Sequence, residues 1–137
     1  MNASQIGSMI KPILVVGEQS LSIEDVVAVA RQECQVALSE TPSWRELIQR
    51  GADFLDQLLV DEGVIYGVTT GYGDSCLVEI PMHQVHELPL HLSRFHGCGL
   101  GENLDLITAR AVVITRLCSL ARGYSGVSLS LLERLVW

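Results

Sequence analysis

The sequence predicts a mainly α-helical chain, on three observations. Apolar residues recur every three or four positions over most of its length, helix-capping residues precede several of these stretches, and the main β-branched run is broken up by glycines. Ser22 caps the first helix, with Glu24 and Asp25 in a turn where negative charge meets the positive end of the helix dipole. Val26, Val27, Ala30, Cys34, Ala37 and Leu38 continue at helical spacing, so this helix is expected to run through Leu38. Thr41-Pro42 restarts the chain as a cap followed by proline at the first helical position. The second helix carries Trp44, Leu47, Ile48, Leu55, Leu58 and Leu59 on one stripe and is expected to stop near Asp61-Glu62-Gly63.

Val64 and Ile65 then lead into Gly67, Gly71 and Gly73, which predicts an ordered loop with sharp turns or close backbone approaches. A further helix is expected from about His83 to Phe95, kinked or restarted at Pro89 and broken by Gly97-Cys98-Gly99-Leu100-Gly101. Asp105 or a neighbour opens a helix with Ala109, Val112, Val113, Leu117 and Leu120 inside, closed by Gly123. Ser130 and Glu133 have capping-box spacing for a last helix. The apolar Leu135-Val136-Trp137 end reads as a cut inside that helix.

Composition narrows the function. A length of 137 residues favours one domain, and 48% hydrophobic against 18% charged residues excludes a disordered tail. Nine basic against 16 acidic side chains give a net charge of −7, which argues against nucleic acid or an anionic membrane as partner. No apolar run reaches the roughly 18–20 residues that cross a bilayer. Met1 to Gly17 holds one Lys, a short Ile13–Val16 run and no small-residue cleavage site, so no signal peptide is expected. Without export, and without CxxC, Cys34, Cys76, Cys98 and Cys118 are expected to be reduced thiols in the cytoplasm. So apolar a chain with so few charges also suggests an oligomer, or a piece of something larger.

The glycine clusters form neither GxGxxG nor GxxxxGK[ST], so phosphate binding is not expected. His83, His86, His91 and His96 lie near Cys76 and Cys98, but no HExxH or CxxC accompanies them, and no metal is assigned. Tyr66 stands out because it sits between glycines on a loop rather than on an apolar stripe. A free phenol titrates near pH ~10, so a tyrosine base needs a site that favours the phenolate and a substrate proton made more acidic. A structural tyrosine packing a turn is the other reading of the same residue.

Three stretches in order resemble the histidine, phenylalanine and tyrosine ammonia-lyases and their related aminomutases. They are Tyr66-Gly67-Val68-Thr69-Thr70-Gly71-Tyr72-Gly73, Leu92-Ser93-Arg94-Phe95-His96-Gly97-Cys98-Gly99 and Ala121-Arg122-Gly123-Tyr124-Ser125-Gly126-Val127. The first resembles the family's tyrosine loop, the second its substrate-selectivity helix, and the third the stretch that follows; together the resemblance spans about residues 20 to 137. It implies the N-terminal part of the family's helical, fumarase/aspartase-like fold, a single segment over residues 1–137 that is apparently truncated, with residues 1–20 as a flexible extension.

By that resemblance Tyr66 is the general base, Phe95 and His96 line the pocket around the substrate ring, and Gly67, Thr70, Gly71 and Gly73 support the loop. The implied function is non-oxidative elimination of ammonia from L-Tyr or L-Phe, less readily L-His, in a cytoplasmic homotetramer. Phe95 favours an aryl group by apolar contact, and His96 suits a phenol or an imidazole. Family members use a 4-methylidene-imidazol-5-one electrophile formed from Ala-Ser-Gly, a tripeptide absent from this sequence, whose nearest approach is Tyr124-Ser125-Gly126. The chain alone is therefore expected to be inactive. A 2,3-aminomutase and a non-catalytic short paralogue acting as an assembly subunit are the alternatives.

Overall fold

The computed structural model describes residues 11–61 and 63–136. In chain order they form β1 (Ile13–Val16), α1 (Ile23–Ala30), β2 (Gln35–Leu38), α2 (Pro42–Asp61), a 3₁₀ turn at Gly73–Ser75, α3 (Met82–Val85), α4 (Leu88–His96), α5 (Leu106–Leu120) and α6 (Leu129–Leu135). The mainly helical class holds. The described residues divide into two compact units, one up to Gly51 and from Leu104 on, the other Ala52–Asn103.

In the first unit β1 and β2 pair in parallel, with Ile13 opposite Gln35 and Val16 opposite Leu38. Residues 13–16, which the sequence places in the N-terminal extension, are thus a strand, and Val16 is buried in the core. The rest of that extension, residues 1–10, lies outside the described residues. Ser22 caps α1 as expected: its Oγ accepts the Asp25 amide at 3.1 Å, and Asp25 Oδ2 accepts the Ser22 amide at 2.9 Å.

The helix does not reach Leu38. It ends at Ala30, and Gln32 takes a left-handed φ of +59°, which turns the chain into β2. Val36 and Leu38 are buried with the less buried Ala37 between them, the two-residue alternation of a strand. A short apolar run such as Val36-Ala37-Leu38 fits either period, and pairing with β1 decides it.

The core gathers Val16, Val29, Val36, Leu38, Trp44, Ile48, Ile114, Leu117, Leu120, Ala121 and Leu132. Trp44 Nε1 donates to the Ala121 carbonyl at 2.8 Å, so the indole buried here is also satisfied. Asp105 caps α5 as expected, its Oδ1 accepting the Ile107 and Thr108 amides, each at 2.9 Å. The inner face of α5 is Ile114, Leu117 and Leu120, whereas Val112 is 54% exposed. Two residues before Ile114 on a helix of 3.6 per turn, Val112 lies roughly 200° around the axis from it.

The cap of α6 is Ser128, not Ser130. Its Oγ accepts the Leu131 amide at 3.3 Å, and the Ser130 hydroxyl bonds to it at 3.0 Å. An apolar repeat explains the earlier start: Leu132 is buried while Leu129 and Leu135 pack against the core, so Leu129 must already be helical. α6 ends at Leu135 with Val136 extended, and Trp137 lies outside the described residues.

In the second unit α2 ends at Asp61, near the expected stop, of which Glu62 is outside the described residues. Leu55, Leu58 and Leu59 are only half-buried along its stripe. The helix expected over His83–Phe95 is two helices, broken at His86-Glu87, with Pro89 in the first turn of α4, where a missing N–H costs nothing. No helix is long and apolar enough to cross a membrane among the described residues.

Candidate active site

The segment after α2 folds back on itself through short-range bonds. The Val68 and Thr69 amides donate to the Ile65 carbonyl at 3.0 and 2.9 Å, closing a turn around Tyr66. Gly67 takes φ +71°, a left-handed conformation that suits glycine, and a Cβ there would stand 3.1 Å from the Tyr72 ring. An antiparallel bridge between Thr70 and Glu79 carries the return: the Gly71 amide donates to Val78 at 3.0 Å and the Ile80 amide to Thr69 at 2.7 Å. Gly71 is needed for space, since a Cβ would come within 2.7 Å of the Ser75 carbonyl oxygen and Cβ.

This geometry leaves Tyr66 65% exposed, with its hydroxyl oxygen accepting the Gly73 amide at 3.3 Å. A loop tyrosine held by one backbone donor differs from a core aromatic. An amide donor is compatible with a charged oxygen as well as a neutral one, so the bond fixes the oxygen without blocking proton transfer to it.

Beside the loop lies an open cleft of about 810 Å³, lined by Gly71, Tyr72, Gly73, Ser75, Leu88, His91, Leu92, Arg94, Phe95 and His96. Leu88, His91, Leu92 and Phe95 fall at i, i+3, i+4 and i+7, one face of α4. Phe95 is 77% exposed and meets His96 edge-on, the ring centroids 5.2 Å apart at 74°. His96 Nδ1 lies 3.3 Å from the Leu92 carbonyl oxygen. With the proton on Nδ1 donated to that carbonyl, Nε2 of the neutral ring is an acceptor for a ligand's O–H or N–H. His91 Nε2 is 3.7 Å from Glu87 Oε2, one helical turn back.

The structure therefore brings Gly71, Gly73, Phe95 and His96 to one cleft, and ties Tyr66 to its wall through Gly73. Gly67 and Thr70 belong to the loop itself. Sequence reasoning gave no cleft-lining role to Leu88, His91, Leu92 or Arg94, although the three-and-four spacing back from Phe95 points to the first three. Among the described residues no three His, Cys, Asp or Glu side chains group as a metal site.

The model of the aromatic amino acid lyase family matches residues 21–137. The chain belongs to this family. It is 35% identical over 127 residues to histidine ammonia-lyase of Clostridium tetani, covering 93% of this chain and 24% of that protein. It is 39% identical over 118 residues to histidine ammonia-lyase of Streptococcus pyogenes serotype M3, covering 86% and 23%. Among solved structures, tyrosine aminomutase from Streptomyces globisporus superposes with a TM-score of 0.81 at 32% identity, covering 90% of this chain and 23% of that one. The chain thus spans about a quarter of the length of the curated relatives it matches.

The ammonia-lyases build 4-methylidene-imidazol-5-one from an Ala-Ser-Gly tripeptide. The sequence has no Ala-Ser-Gly, and Tyr124-Ser125-Gly126 instead forms part of the turn from α5 to α6, where Gly123 and Gly126 take φ of +82° and +60°. That turn is in the unit without the cleft.

Proposed function

We propose that this chain supplies the base and the ring-binding wall of an aromatic amino acid ammonia-lyase site. The observation that carries the reading is Tyr66, an exposed residue whose hydroxyl is held by the amide of Gly73, a residue of the wall that Phe95 and His96 complete. Tyr66 as its phenolate takes a proton from the substrate β-carbon. The C–H electron pair becomes the Cα–Cβ double bond, and the amino group leaves with the C–N pair as ammonia. Phe95 contacts an aryl ring through its apolar face and His96 accepts a hydrogen bond from a ring substituent, which favours L-Tyr, then L-Phe. The curated relatives named for histidine support L-His as the competing substrate, since imidazole also carries an N–H.

The electrophile precursor has to come from residues outside these 137, so the chain alone is expected to be inactive. It is expected to act in a cytoplasmic homotetramer, an assembly supported by the apolar side chains the second unit leaves exposed, Leu77, Val78, Met82, Leu90 and Leu100 among them. The test supplies purified chain, alone and mixed with a polypeptide carrying the family's Ala-Ser-Gly region, with L-Tyr, L-Phe or L-His. Turnover is expected only in the mixture, and Tyr66→Phe should lower its kcat by about 10²–10⁴-fold, the usual weight of a proton-transfer residue. Near-unchanged turnover by Tyr66→Phe removes Tyr66 from the chemistry, and turnover by the chain alone removes the need for an outside electrophile.

A second reading is a 2,3-aminomutase, favoured by the match to a tyrosine aminomutase structure. A β-amino acid product in the same assay identifies it. A stable complex that forms without any turnover identifies the assembly subunit instead.

A further inference from the structure

The second unit has an unusual interior. Among its described residues the only fully buried side chains are Thr69 and Thr70, each 2% exposed, while its larger apolar side chains stay partly or wholly exposed. Small hydroxyl side chains do not drive burial by apolar area, so their position calls for a polar reason.

Their hydrogen bonds supply one. Thr69 Oγ1 accepts the Ile65 amide at 2.7 Å, and Thr70 Oγ1 accepts the Gly67 amide at 3.1 Å while donating to the Gly71 carbonyl at 3.0 Å. Ile65 and Gly67 are the residues on either side of Tyr66. Each backbone N–H flanking the tyrosine thus ends on a buried threonine hydroxyl. The main chain of Thr69 adds two more ties, donating to Ile65 at 2.9 Å and accepting from Ile80 at 2.7 Å.

We infer that Thr69, acting with Thr70, is a positioning residue for Tyr66: the two hydroxyls hold the amides of the residues on either side of it, Ile65 and Gly67, and so set where the phenol oxygen stands. The functional weight of this clamp rests on Tyr66 being the catalytic base. Its existence does not, because a clamp is read from where the phenol sits and not from turnover. A general base must stand within hydrogen-bond reach of the proton it takes, and a side chain on a glycine-turned loop has no packing of its own to hold it there.

The test is NMR on the 137-residue chain, following the Tyr66 ζ-carbon and the Gly73 amide. Thr69→Val keeps size and branching but removes the acceptor, Thr69→Ser keeps the hydroxyl, and Thr70→Val is the matching second variant. The valine variants should move the Tyr66 signal towards that of free tyrosine and shift the Gly73 amide as its bond to the phenol is lost. Thr69→Ser should restore both, with the Tyr124 signals unchanged throughout. Unmoved Tyr66 and Gly73 signals in the valine variants overturn the clamp. So does a serine variant that behaves like valine, since shape and not the hydroxyl would then matter. General loss of structure in both valine variants assigns the threonines to folding alone. Failure of the Tyr66→Phe kinetics, with these shifts present, would sink the base assignment and leave the clamp standing.

Discussion

His96 shows how much a single bond decides about recognition. Because Nδ1 is engaged by the Leu92 carbonyl, the neutral ring has only Nε2 to offer, and it offers it as an acceptor. In the proposed site a phenol O–H would satisfy that acceptor and an unsubstituted phenyl ring would not, which would penalise phenylalanine. His96→Leu in the reconstituted enzyme is expected to raise kcat/KM for L-Phe relative to L-Tyr, and a ratio that stays put would dismiss His96 from the ring pocket. A motif marks Tyr66, Phe95 and His96 in the sequence, and the structure sets the last two on one cleft. Sequence reading reached Thr70 as loop support but gave Thr69 no role, since nothing in Thr-Thr says which hydroxyl meets which amide. That depends on the turn at Gly67, a property of backbone angles rather than of composition.

At the level of elements, legibility follows how local the deciding interaction is. The caps at Ser22 and Asp105 were readable because donor and acceptor lie within three residues of each other. The end of α1 was not, because β2 exists by pairing with β1, some twenty residues back in the chain and visible only once folded. The α6 cap is an intermediate case, in which Ser130 offers the better local motif and the packing of Leu129 and Leu132 selects Ser128. Ser128→Ala should therefore cost about 1 kcal/mol, and Ser130→Ala no more than about 0.5 kcal/mol, by thermal or urea unfolding. The reverse order would return the cap to Ser130. The two aspartate caps make a further prediction about acid. Backbone and side-chain hydrogen bonds from Ser22 hold Asp25 below the usual carboxylate range, and those from Thr108, with the Ile107 amide, do the same for Asp105. Each contribution is complete above the unfolded carboxylate pKa and disappears as pH falls through the lower folded value. Tm should thus decline on acidification below about pH 4, and Asp105→Asn should flatten that decline. An identical acid limb in the variant would remove Asp105 as a source.

The whole chain joins two units that are held in different ways. The first has a contiguous apolar core from β1 to α6, in which Ile114, Leu117 and Leu132 are completely buried. The second buries two threonines and leaves Phe95, Leu77 and Leu100 in the open, which suits a binding surface better than an independent core. Local stability follows buried apolar contact, so hydrogen exchange should find α5 amides near Ile114 and Leu117 much more protected than those of α4. Cutting into the first core sharpens the contrast. Leu117→Ala removes a fully buried side chain and should cost about 2–5 kcal/mol, enough to threaten a domain whose total stability is about 5–15 kcal/mol. Because the Tyr66 loop is closed by its own bonds to Thr69, Thr70 and Gly73, its amide shifts should stay unchanged in any Leu117→Ala protein that remains folded. Matching losses of protection in α5 and of order around Tyr66 would show that the tyrosine loop depends on the first unit's core, and that the hydroxyl clamp alone does not hold it.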